Sequence, residues 1–304
     1  MKILNFGSLN YDYVYSVDHI LIPGETGAAS GMQTFCGGKG LNQSVALARA
    51  GAKVWHAGMV GEDGGALLDL LRQSGADTSC VGTLPGKSGH TVIQVDKKGQ
   101  NCILLFGGSN RSLTREFAEE VFRGFGRGDM LLLQNEVNDI DVLIEMGYRR
   151  GMRVVLNPSP FDGAVEKCDL SKVSILLVNE IEGGQISGRK KPGEILDVLA
   201  ARYPDTGVVL TLGGDGAVWQ GNGRRVGHGI YHVPVVDTTA AGDTFTGFFL
   251  ASVVGGKTME QALETASKAS SIAVTRKGAA PSIPTMEEVL SYPFGPPESA
   301  GPSV

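Results

Sequence analysis

The chain has 304 residues, 42% hydrophobic and 19% charged, with a formal net charge of −5. That balance can fill a large core and excludes a disordered chain. No basic stripe interleaved with aromatics points to nucleic acid, and no apolar run approaches the ~18 residues of a membrane span.

MKILNFGSLN opens the chain as a first strand rather than a secretory leader. Short apolar runs at 2–8, 53–61, 129–134, 153–158, 174–179 and 207–214 read as buried parallel strands. Stretches 41–52, 64–76, 138–151, 193–203, 242–256 and 259–274 have helical spacing. This alternation predicts an α/β fold, a doubly wound and mostly parallel sheet flanked by helices. Segments 11–17 and 89–96 alternate like half-exposed strands, and DKKGQ turns the second into NCILLFG (101–107). With a strand near 30–36, they predict a small antiparallel β lid built from about 11–36 and 89–107. One α/β domain is expected over 1–290, followed by a frayed tail at 291–304. Cys36, Cys80, Cys102 and Cys168 form no C-x-x-C pair and are expected as reduced thiols in the cytoplasm.

GSLNYDYV (7–14) sets Asn10 and Asp12 two apart on an extended segment, so both face one side. An amide beside a carboxylate suits the vicinal hydroxyls of a polyol; a polar strand end would use the same residues. FCGGKGLNQS (35–44) places bare glycine backbone at a helix start, which favours an oxygen-rich ligand. It is not a Walker A loop, because Gly follows Lys39 and position 33 is Gln. An ordinary strand-to-helix turn stays open.

In LVNEIEGG (177–184), Asn179 ends a strand and Glu182 lies one turn into a helix. Ligands of doubly wound sheets bind at strand C-termini. Asn179 is therefore a candidate phosphate contact and Glu182 a candidate to hold Mg²⁺ through water, with plain helix capping as the competing reading. TLGGDG (211–216) can lie flat against a nucleotide or simply turn into AVWQ; no G-x-G-x-x-G is formed, since the third position is Trp219. His228 and His232 lie in strand-like GHGIYHVP with no third ligand nearby, and no metal site is read there.

DTTAAGDTFTG (237–247) begins a long apolar helix at Gly242 and Asp243. The amides of Ala240, Ala241, Gly242 and Asp243 would point outward as an anion hole for a transferring phosphoryl group. Small side chains there leave room for the phosphate. Asp243 would accept the proton of the acceptor hydroxyl; a helix N-terminus makes it a weak base, which a loose transition state tolerates. Taken alone, Asp243 reads first as an acid complementing a helix dipole.

GSLNYD, PGET (23–26), FCGGKGLNQ, NPSP (157–160), the Asn179/Glu182 pair, TLGGDG, DTTAAGDTFTG and AVTRKGAAPS (273–282) stand in the order found in the PfkB/ribokinase family of carbohydrate kinases, and the chain resembles that family from about 1 to 290. The resemblance implies a ribokinase-like fold and ATP-dependent phosphorylation of a free pentose, D-ribose at O5. It implies that Asn10, Asp12, Gly38, Lys39, Asn42 and Glu136 hold the sugar. It implies that Asp243 is the base, with Ala240, Ala241 and Gly242 as the anion hole. Asn179, Glu182, Thr211, Leu212, Gly213, Gly214, Asp215, Gly216, Gly242 and Ser267 match nucleotide and Mg²⁺ positions. Asp237, Thr239, Ala273, Arg276, Gly278 and Ser282 match a K⁺ loop, Arg276 through its carbonyl. A homodimer through the lid is also implied. Tyr11, where the family usually has a small residue, and Ser267, where a larger one is common, depart from the pattern. Phe35, His90 and Leu104 are lid positions able to reshape the pocket. Kinases of deoxyribose, a ketose or a nucleoside are the nearest alternatives. A non-catalytic sugar sensor is another, opposed by the intact Asp243 loop. A nicotinamide oxidoreductase is the last, opposed by the missing dinucleotide fingerprint.

Overall fold

The computed structural model describes residues 1–298. Among the described residues the strands are β1 (Ile3–Phe6), β2 (Asn10–Ser16), β3 (Gly31–Gly37), β4 (Val54–Val60), β5 (Asp77–Thr83), β6 (Gly89–Val95), β7 (Asn101–Phe106), β8 (Met130–Gln134), β9 (Arg153–Asn157), β10 (Ile175–Asn179), β11 (Gly207–Thr211), β12 (Ala217–Gly221) and β13 (Arg224–His228). The helices are α1 (Lys39–Arg49), α2 (Gly65–Gln73), α3 (Arg115–Phe122), α4 (Ile140–Arg149), α5 (Glu180–Ser187), α6 (Pro192–Arg202), α7 (Ala241–Val254), α8 (Met259–Ala273) and α9 (Met286–Ser291).

The main sheet runs β13-β12-β11-β10-β9-β8-β1-β4-β5. Every pairing from β11 to β5 is parallel, and only the β11-β12-β13 edge is antiparallel. Parallel strands covered on both faces need apolar side chains on both faces, hence the continuous runs of the sequence. Side chains alternate across each strand. Ile3, Leu132, Val155 and Ile175 therefore pack with α1, α7 and α8, and Leu4, Leu131, Val154 and Leu176 pack with α3, α4 and α6 on the other side. Each fully buried Leu or Ile contributes about 1.5–3 kcal/mol.

The lid sheet runs β3-β2-β6-β7; its outer pairs are antiparallel and β2 lies parallel to β6. Tyr11 turns to the opposite side of β2 from Asn10 and Asp12. Its hydroxyl donates to the Asp63 carbonyl at 2.6 Å, tying the root of the lid to the body.

Several regions differ from the expectation. β5, α3 and α9 belong to no predicted run: β5 is a half-exposed edge strand, DTSCVGT, α3 is short, announced mainly by its Thr114 cap on the Phe117 amide, and α9 is a six-residue helix with a Thr285/Glu288 capping box. The GHGIYHVP stretch contributes only its first residues to β13, and the rest runs without strand partners along the site. Of the tail expected to fray, Phe294 packs on Tyr231 with ring centroids 4.7 Å apart, and the Glu298 amide donates to the Ile230 carbonyl at 2.9 Å; 299–304 lie outside the described residues. Among the described residues no helix is long and apolar enough to cross a membrane.

Candidate active site

α1 and α7 start side by side above the C-terminal ends of the parallel strands. Their close approach depends on Gly247, where a Cβ would sit 2.3 Å from that of Ala46. That glycine serves helix packing, whereas a Cβ on Gly242 would meet nothing within 4 Å. The small residues of DTTAAGDTFTG thus serve helix packing at Gly247 and leave open space at Gly242. Ala240 takes a left-handed conformation (φ 59°) that turns the chain into α7. The Ala241 amide does not point outward as expected; it donates back to the Thr238 carbonyl at 3.2 Å. The amides of Ala240, Gly242 and Asp243 have no protein acceptor among the described residues.

Asp243 is buried at this helix start. Its Oδ2 accepts from Asn42 Nδ2 and its Oδ1 from Gln43 Nε2, each at 2.9 Å. Asn42 Oδ1 is itself buried with no partner among the described residues, an acceptor left for a ligand hydroxyl. Glu136 accepts from the Ser8 hydroxyl and, at 2.9 Å, from the Lys39 amide. Burial pushes the Glu136 carboxyl up, against the pull of Lys39. Burial would lower Lys39, but Asp243, Glu136 and Glu182 outweigh it and hold the ammonium charged.

Asn10 is buried, its Oδ1 accepting from Asn110 Nδ2 at 2.7 Å. Asp12 Oδ1 accepts from the Thr91 hydroxyl at 2.5 Å, and burial raises its carboxyl above the ordinary range. Gly38, at φ 93°, packs against the Asn10 amide; its Cβ would lie 3.2 Å away. Asn10, Asp12, Gly38, Asn42 and Glu136 therefore gather where the lid meets α1. Lys39, expected with them, also lines a cavity of about 230 Å³ with Asn179, Glu182, Gly242 and Asp243.

That cavity is the junction of the site. Asn179 caps α5 by accepting from the Glu182 amide at 2.9 Å, and Glu182 Oε2 accepts from the Asn179 amide at 3.1 Å. The capping reading is therefore correct, and both residues still face the cavity. A neighbouring cavity of about 410 Å³ is lined by Thr211, Gly213, Gly214 and Gly216, by Tyr231, Val233 and Val235, and by Phe245, Ser267 and Ser271. Two residues of TLGGDG do not join it: Leu212 is buried in the core and Asp215 is exposed outside the lining. The motif turns into β12, as the turn reading has it, and its glycines also line the cavity.

Behind the α7 start, Asp237 stitches two loops together. Its Oδ1 accepts from the Thr239 amide and its Oδ2 from the Gly278 amide, both at 2.9 Å. Burial would raise its carboxyl; the Thr239 hydroxyl, which donates to Oδ1 at 2.6 Å, and the two amides outweigh burial and leave it below the usual range. The Ala273 carbonyl accepts from the Arg276 amide at 3.1 Å, and the Arg276 guanidinium turns away to Glu288 at 2.6 Å. Ser282 is buried and donates to the Ala279 carbonyl at 2.7 Å. A carboxylate among backbone carbonyls suits a hard cation.

Sequence reasoning missed Gln43, Asn110, Gln134 and Asn157, all amides at or beside the site. Gln134 and Asn157 carried a signal, since each ends a buried parallel strand at the edge where ligands bind. The aromatic wall at Tyr231 carried none.

Comparison with known proteins agrees with this geometry. Residues 1–286 match the pfkB family carbohydrate kinases. The ribokinase of Haemophilus influenzae is 36% identical over 296 residues, covering 94% of this chain and 96% of that protein. The deoxyribokinase of Salmonella typhi is 32% identical over 306 residues, covering 96% and 98%. The structure of Arabidopsis thaliana ribokinase complexed with ribose and ATP superposes with a TM-score of 0.85 at 30% identity, covering 95% of this chain and 97% of that one. A nearly complete match to the family pattern, relatives matched end to end and a doubly wound sheet carrying a lid leave one conclusion: the chain belongs to the pfkB family of carbohydrate kinases.

Proposed function

We propose that the chain transfers the γ-phosphoryl group of ATP to O5 of D-ribose. The observation that carries this reading is the position of Asp243. It stands between the lid-side cluster of Asn10, Asp12 and Asn42 and the cavity shared by Lys39, Glu182 and Gly242. A sugar hydroxyl held by the first cluster would face a phosphate held by the second. Asp243 takes the hydroxyl proton, and the free amides of Ala240, Gly242 and Asp243 stabilise charge on the transferring group.

Among the described residues no cluster of three or more His, Cys, Asp or Glu could hold a metal. That is compatible with Mg²⁺, which takes one or two carboxylates plus phosphate oxygens and keeps its water. Glu182, with only Oε2 engaged by the protein, would hold it and so offset phosphate charge. Asp237, Thr239, Ala273, Arg276, Gly278 and Ser282 would hold K⁺ behind the anion hole. The 410 Å³ cavity suits the adenosine, with Ser267 on its floor. The four free cysteines suit a reducing cytoplasm. The lid leaves Ile103, Leu104, Leu105 and Phe106 between 45% and 70% exposed. An apolar edge strand of this kind supports a homodimer through the lid.

Deoxyribose is the second reading, favoured by the likeness to a deoxyribokinase. Asn10, Asp12 and Asn42 weigh for ribose, because a missing 2-hydroxyl would leave a buried polar group unpaired. ADP release over a panel of sugars and nucleosides, with Mg²⁺ and K⁺ present, tests both. The highest kcat/KM is expected with D-ribose. A higher value for deoxyribose or a nucleoside would reassign the substrate, and release with no acceptor in the panel would leave only the sugar sensor.

A further inference from the structure

Gln43 lies wholly buried in α1, next to Asn42. Its Nε2 donates to Asp243 Oδ1 and to Asn157 Oδ1, each at 2.9 Å. Its Oε1 accepts from Gln134 Nε2 at 2.7 Å. Gln134 Nε2 also donates to Asn5 Oδ1 at 2.9 Å, and Asn5 Nδ2 donates to the Gly40 carbonyl at 2.8 Å. Asn157 Nδ2 is committed to the Leu177 carbonyl at 3.0 Å, so its Oδ1 must face Gln43.

These amides have a direction. Gln134 donates to Gln43 and to Asn5 while its own Oε1, buried, has no partner among the described residues, and the donors of Gln43 end on Asp243 and Asn157. A buried amide is unfavourable unless its hydrogen bonds are made, and an apolar side chain would fill the same core space without that requirement. A chain of oriented amides instead rigidifies what stands at its end. The χ2 torsion of an aspartate is broad and weakly restrained. With Asn42 alone on Oδ2, the carboxylate could still swing. The second donor, on the other oxygen, closes that freedom.

We propose that Gln43 is a positioning residue for phosphoryl transfer, fixing the Asp243 carboxylate through a directed chain that includes Gln134 and Asn5. Gln43 is wholly buried, and its Nε2 and Oε1 are engaged by Asp243, Asn157 and Gln134, which leaves it no donor for sugar or phosphate. Its contribution therefore belongs in turnover and not in substrate affinity. The proposal rests on the reading of Asp243 as the proton acceptor.

The test compares Gln43→Met, Gln134→Met and the double variant in steady-state kinetics with D-ribose and ATP. Met keeps the length of Gln and removes the amide. Gln43→Met is expected to lower kcat about 10- to 100-fold while both KM values stay within about threefold. Gln134→Met is expected to lower kcat by about 3- to 10-fold, and the double variant to match Gln43→Met within about twofold, because Gln134 acts through Gln43. A kcat within about twofold of the parent for Gln43→Met, a loss carried by KM, or losses that multiply in the double variant would overturn the proposal. Should Gln43→Met fail to fold, an unchanged kcat for Gln134→Met would overturn it alone. Asp243→Asn is run beside them. If it keeps parental turnover, the reading of Asp243 fails and the proposal goes with it; if it is inactive while Gln43→Met keeps a kcat within about twofold of the parent, only the proposal fails.

Discussion

Asn42 and Asp243 lie 201 positions apart in the chain and meet at 2.9 Å, Nδ2 to Oδ2. The contact joins the start of α1 to the start of α7, so the acid arrives beside the residues proposed to face the sugar only when both helices are seated. Asp243→Asn keeps the size of the side chain and removes the proton acceptor. Turnover is expected to fall about 10²- to 10⁴-fold, the usual worth of a positioned general base. Calorimetry with D-ribose should show that the sugar still binds. Near-parental turnover would remove Asp243 from the chemistry.

Asn110 gives the same logic on the lid side. It donates to Asn10 Oδ1 at 2.7 Å and accepts from the Leu9 amide at 2.9 Å, so it sets how Asn10 presents its amide. Asn110→Ala would leave buried polar groups unpaired, each at about 1–3 kcal/mol. Steady-state kinetics should show the KM for ribose rising about tenfold or more while the KM for ATP barely moves. Equal effects on both substrates would mean a general loss of packing.

Much of this site was legible because glycine, small and acidic residues at strand ends announce ligand contact. GGKG, TLGGDG and DTTAAGD each sit where a strand or loop gives way to a helix or turn, and the structure gathers them around adjoining cavities. The parallel strands were legible from their continuous apolar runs. β5 was not, because an edge strand with one half-exposed face needs no such run. Gln43, Asn110 and Gln134 were hidden for another reason. A buried amide looks like any polar residue until its partners, 91 to 200 positions away, are brought beside it.

Asp12 links function to pH-dependent stability. Burial raises its carboxyl above the ordinary value, so the folded protein holds the proton more tightly than the unfolded chain. Its stability is then full below the unfolded pKa and declines as pH rises through the raised folded value. Asp12→Asn keeps the Thr91 hydrogen bond and removes the charge. Thermal melts should show no gain for the variant in the acid range and a higher Tm than the parent at neutral pH. Sugar affinity should fall in the same variant. A Tm difference independent of pH would contradict the assignment.

The loop tied by Asp237 predicts a cation effect. Its two oxygens hold Thr239 and Gly278 at 2.9 Å, directly behind the α7 start. Replacing K⁺ by Na⁺ at constant ionic strength should lower turnover, because a smaller ion fits a cage of fixed carbonyls less well. Asp237→Ala should be slow in both salts, with the difference between them gone. Equal rates in K⁺ and Na⁺ for the parent would remove the cation from this loop.

The two glycines of α7 separate helix packing from the proposed phosphate access within one motif. Gly247→Ala puts a Cβ 2.3 Å from the Ala46 Cβ and 2.8 Å from the Leu47 amide nitrogen. Overpacking of this kind costs about 1–3 kcal/mol, so Tm should drop, and Ala46→Gly in the same chain should recover part of it. Gly242→Ala meets no atom of the protein, so its Tm should stay near that of the parent. Its methyl would instead stand at the edge of the 230 Å³ cavity, beside the amides that face it. Turnover should fall without loss of stability, read by pairing a thermal melt with the ADP-release rate for each variant. A Gly242→Ala chain that loses stability as much as Gly247→Ala would show that the start of α7, too, is small for packing rather than for the phosphate.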